Sequence, residues 1–244
     1  MGRIGERNKN NNDEWMTIIE YNNSRDITIE FDNGGIVYSA RYSHFKTGQI
    51  KNPYTPSVCG VGYLGDATGY ENGKPLKSYQ TWVNMLKRCY DIKYQERFPT
   101  YKGCEVCDEW KCYADFKKWY DYNIYEINGE RVCLDKDILI KRNKTYSPET
   151  CLLVPESINM LFTTQNKNNN LPKGVCWYKK FNKYGAYINI DGKKKTLGYF
   201  DNISEAKESY LKARNMELKR VAEKYKEFIP EKLYYKLIEY KEGI

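Results

Sequence analysis

Residues 172–214, PKGVCWYKKFNKYGAYINIDGKKKTLGYFDNISEAKESYLKAR, read as three short β-strands followed by a helix. Period-two alternation places the strands at Gly174–Lys180, Tyr184–Asp191 and Lys194–Phe200. Between the last two, Asp191-Gly192 is a hairpin signal, because such a tight turn needs positive φ. Ser204 stands where a helix N-cap is expected, and Ala206, Tyr210 and Ala213 share one helical face. Alternation then puts Val175, Trp177, Ala186, Ile188, Ile190 and Leu197 on the face the helix covers. Cys176, Tyr178, Lys180, Tyr187, Asn189, Lys194 and Thr196 fall on the open face, with Lys179, Lys183, Lys193 and Lys195 around the turns.

An uncovered sheet face bearing Tyr178, Lys180, Tyr187, Asn189, Lys194 and Thr196 suits double-stranded DNA, since lysines meet phosphates while amides and hydroxyls reach base edges. Residues 170–225 hold 13 Lys or Arg against 6 Asp or Glu. Most of the chain's net charge of +8 is thereby focused in one segment, which points to a polyanionic partner. The segment resembles an AP2 (ERF-type) DNA-binding domain at Lys173-Gly174-Val175, Ala186-Tyr187-Ile188, Leu197-Gly198-Tyr199-Phe200 and Glu205-Ala206 through Tyr210 to Ala213. The resemblance implies a three-stranded sheet docked in the major groove. Cys176, Tyr178 and Thr196 stand where the family has arginines, so no base preference carries over. A module of this shape that only packs on its neighbour is the competing reading.

The 244 residues allow two or three small domains. No long apolar run, leader-like segment or myristoylation signal is found, so the expected setting is cytoplasmic, with no membrane partner. The 24 tyrosines and the Asn, Lys and Ile richness fit an AT-rich coding composition. Of eight cysteines only Cys104 and Cys107 have metal-knuckle spacing, and a second knuckle is missing. Structural zinc is therefore the less favoured reading of that pair. His44, the one histidine, has no nearby carboxylate or cysteine pair and reads as an ordinary side chain.

Upstream, residues 1–14 read as a disordered polar tail and residues 15–58 as a small β module with a turn at Asn33-Gly34-Gly35. Residues 78–122 carry aromatics at helical spacing. Residues 133–162, CLDKDILIKRNKTYSPETCLLVPESINMLF, read as a strand through Leu134 and a loop with Asp135, Asp137 and Asn143. A return strand around Cys151–Val154 follows, then a helix opened by Pro155 and carrying Asn159. Such a hairpin and helix can present hard oxygen ligands to one divalent cation.

Together with Trp82-x-x-Met85-Leu86-x-Arg88-Cys89-Tyr90, Val106-Cys107-x-Glu109-Trp110, Leu134-Asp135-Lys136-Asp137 and Tyr146-Ser147-Pro148-Glu149, this layout resembles the ββα-metal element of phage HNH homing endonucleases, some of which carry a C-terminal AP2 module. The resemblance implies Mg²⁺ or Mn²⁺ held by Asp135 and Asn159. It also departs from the family: Lys136 occupies the position of the catalytic histidine and Thr150 that of the middle asparagine. A lysine is a poor base at neutral pH. Either Lys136 is adapted to catalysis, by a lowered pKa or by stabilising the transition state with Asp137 as base, or catalysis is lost.

The expected architecture is α+β and modular: a tail at 1–14, the β module at 15–58, an HNH-like domain at 59–165, an AP2-like domain at 166–228 and a helical tail at 229–244. Residues 163–170 are the expected linker. The expected function is a DNA endonuclease of phage or mobile-element origin acting in a bacterial host, with a non-cleaving DNA-binding protein as the alternative.

Overall fold

The computed structural model describes residues 2–127, 129–162 and 171–240. In chain order the elements are β1 (Arg7–Lys9), β2 (Trp15–Asn23), β3 (Asp26–Phe31), β4 (Ile36–Ala40), α1 (Tyr42–Lys46), β5 (Tyr70–Glu71) and β6 (Lys74–Pro75). They continue with α2 (Lys77–Tyr90), α3 (Ile92–Arg97), β7 (Glu105–Val106), α4 (Asp108–Lys111) and α5 (Tyr113–Asn123). After these come β8 (Val132–Asp135), β9 (Thr145–Tyr146), β10 (Leu152–Pro155) and α6 (Glu156–Phe162). The last are β11 (Val175–Tyr178), β12 (Lys183–Ile190), β13 (Lys193–Phe200), α7 (Ile203–Tyr225) and α8 (Glu231–Glu239). The protein is α+β, and its chain forms two compact units, Met1–Asn123 with Arg142–Thr150, and Ile124–Lys141 with Cys151–Ile244.

In the first unit, β1 to β4 form an antiparallel sheet in sequence order. Met16, Ile18, Ile27, Ile29 and Phe31 alternate onto one face and close a core with Phe45 and Ile50. The polar run before Trp15 is not a disordered tail: β1 pairs with β2, Arg7 opposite Thr17. Asn10 Oδ1 accepts the backbone N–H groups of Asn12 and Glu14. Asparagine side chains here supply turn acceptors, a use that polarity alone does not reveal. Farther on, Trp82, Met85, Leu86 and Cys89 are buried at helical spacing in α2, as are Tyr113, Phe116 and Tyr120 in α5. The Trp82 indole donates to the Trp110 carbonyl at 2.7 Å, and the Ser78 hydroxyl meets Tyr113 Oη at 2.8 Å.

In the second unit, β8 and β10 form an antiparallel hairpin with Asp135 opposite Leu152 and Val132 opposite Pro155. Helix α6 follows directly. Its first turn is capped by Glu130, whose Oε1 accepts the Ser157 N–H at 2.8 Å. The three-stranded sheet runs in the order β11-β12-β13. Both Asp191 and Gly192 have positive φ, 49° and 76°, as the hairpin signal requires.

Helix α7 begins earlier than expected. Asn202, not Ser204, is its N-cap, and its Oδ1 accepts the Glu205 N–H at 2.8 Å. At 23 residues the helix is about 34 Å long, and its two ends cover different things. Ala206 closes a small core with Val175 and Ala186, while the Tyr210 ring lies against Gly174. Toward the other end, Leu218, Val221 and Ala222 pack with Ile138, Val154 and Ile158 of the hairpin and α6, and with Leu233 and Leu237 of α8. Arg220 ties the helix to the sheet's turn, donating to Asp191 Oδ1 at 2.9 Å and to Glu217 Oε1 at 2.7 Å.

The compact units therefore divide the chain differently from the expected domains at 59–165 and 166–228, because α7 and α8 complete the core beneath the hairpin. Residues 229–240 belong to that core and are no mere tail. The expected linker at 163–170 and residues 241–244 lie outside the described residues. No helix among the described residues is long and apolar enough to cross a membrane.

Candidate functional site

The β11–β13 sheet buries one face and exposes the other. Val175, Ala186 and Ile188 are buried, with Leu197 and Phe200 packed against that core. Opposite them, Tyr187 pairs with Thr196 and Asn189 with Lys194 across β12 and β13. Asn189, Lys194 and Thr196 are exposed and Tyr187 is half-buried. The Lys194 ammonium stands 3.9 Å from the centre of the Tyr187 ring. That contact holds the charge over the face instead of letting it swing away.

Two expected positions change. Lys180 lies in a one-turn 3-10 helix, Lys179–Phe181, so it flanks the sheet instead of projecting from a strand. Trp177 is 42 % exposed and packs edge-on against Tyr184 at 4.8 Å, outside the apolar core that strand alternation assigns it to.

Sequence alternation also misses part of the open face. A register shift between Ala186 and Tyr187 places Gly198 opposite Ala186 and Thr196 opposite Tyr187, leaving Leu197 as the extra residue. Beyond a bulge the faces of a strand exchange. Tyr199 therefore lies opposite Gly185, and its ring meets Tyr178 at 5.0 Å and Phe181 at 4.8 Å. The one usable signal was Gly198, since an isolated glycine inside a strand often marks a bulge.

The hairpin and helix hold the candidate metal residues. Asp135 ends β8, and its Oδ1 accepts the N–H groups of Asp137 at 2.8 Å and Ile138 at 2.7 Å. This closes the turn that sends Ile138 into the core beside Val154 and Ile158. Burial pushes the Asp135 carboxyl above the usual carboxylate range, against the pull of those two donors. Lys136 is buried, and its ammonium meets both oxygens of Asp137, at 2.9 and 2.8 Å. Asn159 sits half-buried in α6.

Asp135 and Asn159 are donors of the type Mg²⁺ takes. As arranged, however, one Asp135 oxygen caps a turn and both Asp137 oxygens face an ammonium, so the loop fits a divalent cation poorly. This arrangement leads to no hydrolytic step through a metal. The Lys136 side chain is engaged with Asp137, and Thr150, in the first unit, donates to the Thr145 carbonyl at 2.8 Å.

Elsewhere in the first unit, Cys104 is buried next to the one-turn helix Pro99–Tyr101, and Cys107 precedes α4. None of the eight cysteines is joined in a disulfide, and burial raises the Cys107 thiol above its ordinary value. Among the described residues, no group of three or more His, Cys, Asp or Glu side chains is placed to share a metal ion. His44 is exposed in α1. No family model matches the chain, and neither curated proteins nor solved structures give a match.

Proposed function

We propose that this protein binds duplex DNA through the open face of the β11–β13 sheet, in a chain of HNH and AP2 layout. The observation that carries the reading is the pairing of Tyr187 with Thr196 and of Asn189 with Lys194 on one uncovered face, while α7 backs the other. Amide and hydroxyl groups at base-edge reach, bordered by lysines, are what a groove reader needs. The surplus of basic residues in 170–225 supplies the phosphate attraction.

Metal-assisted cutting is the second reading. What favours it is the order of the frame: β8 ends at Asp135, β10 returns beside it, and α6 carries Asn159 in the same compact unit as the sheet. What opposes it is the engagement of Asp135, Lys136 and Asp137 in the turn and its ion pair.

One experiment tests both. The full chain is titrated with AT-rich duplex DNA at stepped salt, and the bound DNA is then incubated with Mg²⁺ or Mn²⁺. Salt-sensitive binding that weakens in Asn189→Ala and Lys194→Ala supports the reader; absence of binding ends it. Cleavage that disappears in Asp135→Ala establishes the nuclease, and binding without cutting in either metal leaves the reader alone. Lys136→His adds an arm: gain of cutting would mark a decayed site, whereas loss would mark one adapted to lysine.

A further inference from the structure

The open face of the sheet is divided along its length. Near the Asp191–Gly192 turn it carries the polar set, Tyr187, Asn189, Lys194 and Thr196. The other end carries three rings in mutual contact. Tyr199 meets Tyr178 at 5.0 Å and Phe181 at 4.8 Å, both edge to face. Their floor is Gly185, where a Cβ would come within 2.6 Å of the Tyr178 ring. Lacking a side chain there, the backbone lets Tyr178 lie flat and support the other two. Phe181 is 46 % exposed and Tyr199 41 %. Lys179 and Lys180 are exposed alongside, with the Lys180 ammonium 5.7 Å from the Phe181 ring centre.

The Phe181 ring, 46 % exposed, has no group to offer a phosphate. A base face, by contrast, offers the exposed rings a stacking partner, and the flanking lysines would hold that partner in place. From Gly185 to Asn189 is four residues of β12, roughly 13 Å, which is about four base-pair rises of B-DNA.

We infer that Phe181 and Tyr199 stack on a base step opened at one end of the duplex site, while Asn189 and Lys194 read the groove at the other end. The inference rests on the duplex-binding reading above. It adds a deformation of the DNA to groove contact, so the protein would favour sites with an easily unstacked step, such as TA, near the aromatic end.

The test uses the full chain and AT-rich duplexes carrying 2-aminopurine in place of adenine at successive positions. A fluorescence rise at one position or two adjacent ones is expected on binding. Phe181→Ala should abolish the rise and weaken binding about tenfold, whereas Phe181→Trp should keep both. Because Phe181 lies in an exposed turn, neither change should unfold the sheet, and near-ultraviolet circular dichroism checks this. Binding with no rise at any position overturns the inference and leaves the duplex-binding reading standing. No salt-sensitive binding to any duplex overturns both. Tighter binding to the single strands than to the duplex, lost in Phe181→Ala, also overturns it and makes the rings a single-strand platform.

Discussion

The Lys136 ammonium lies 2.8 and 2.9 Å from the two carboxylate oxygens of Asp137, with 8 % of the lysine side chain and 49 % of the aspartate exposed. A buried charge is costly when its partner is removed, and much less so when the charge itself goes. Asp137→Asn is therefore expected to destabilise the protein by about 1–2 kcal/mol, a figure reduced for the exposure of the aspartate. Lys136→Met should cost less. Urea midpoints at neutral pH check the order of the two variants, and a reversed order would show that Lys136 is held by something other than this pair.

Asp135 gives a test of structural against chemical use. Its carboxyl is raised by burial, so the folded state binds the proton more tightly than the unfolded chain does. That contribution is complete below the unfolded pKa and is lost as pH rises through the folded one. Asp135→Asn keeps an acceptor for the Asp137 and Ile138 N–H groups without the buried charge. It should match or exceed the parent in stability at pH 7, with the advantage fading in acid. Asp135→Ala should lose about 1–2 kcal/mol. Thermal melts across pH distinguish the two.

Glu130 behaves in the opposite sense. Hydrogen bonds from Ser157 and Tyr225 hold its carboxyl below the usual range in spite of the burial that pushes the other way. Its contribution is present above the unfolded pKa and is lost as pH falls through the folded value. Glu130→Gln should therefore lower stability near neutrality and flatten the acid limb, the variant converging with the parent as pH falls, as read by chemical denaturation at a series of pH values.

Gly174 has φ 75°, and a Cβ there would run into the Tyr210 ring. Gly174→Ala combines a strained backbone with a clash against a buried side chain, and should destabilise by about 2–4 kcal/mol. Tyr210→Ala in the same background should recover part of that loss, which a double-mutant cycle would read.

On the open face, Lys194 and Asn189 should separate by salt. Lys194→Ala is expected to weaken duplex binding across sequences and to reduce the salt slope by about one unit. Asn189→Ala should leave the slope unchanged and cost about 1–3 kcal/mol at preferred sites only. Anisotropy titrations on preferred and scrambled duplexes resolve them.

Much of the second unit was legible because its signals are local. Asp191-Gly192 fixed the hairpin, the alternation through Ala186 and Ile188 fixed the covered face, and the order from Leu134 through Val154 to Asn159 gave hairpin and helix. What escaped depends on contacts or on single-residue shifts. The bulge beside Gly198 moved Tyr199 to the open face, and a one-turn helix took Lys180 out of the strand. Residues 7–9 were missed as a strand because an edge strand of Arg, Asn and Lys has no apolar alternation to announce it. The engagement of Asp135, Lys136 and Asp137 in a turn and an ion pair is likewise invisible in the motif, which records residue types and not what they bond.

Helix α7 is the common wall of two cores, one under the sheet and one under the hairpin and α6. Cutting the chain at 165 would strip Ile138, Val154 and Ile158 of their cover on one fragment and bare Leu218, Val221 and Ala222 on the other. The two elements should therefore melt in a single cooperative transition and resist dissection into working halves. Linkage then carries a consequence for any ligand: whatever the sheet gains by binding is added to the folding free energy of the hairpin, so a partner engaged at one end of the helix steadies the loop of Asp135 and Lys136 at the other.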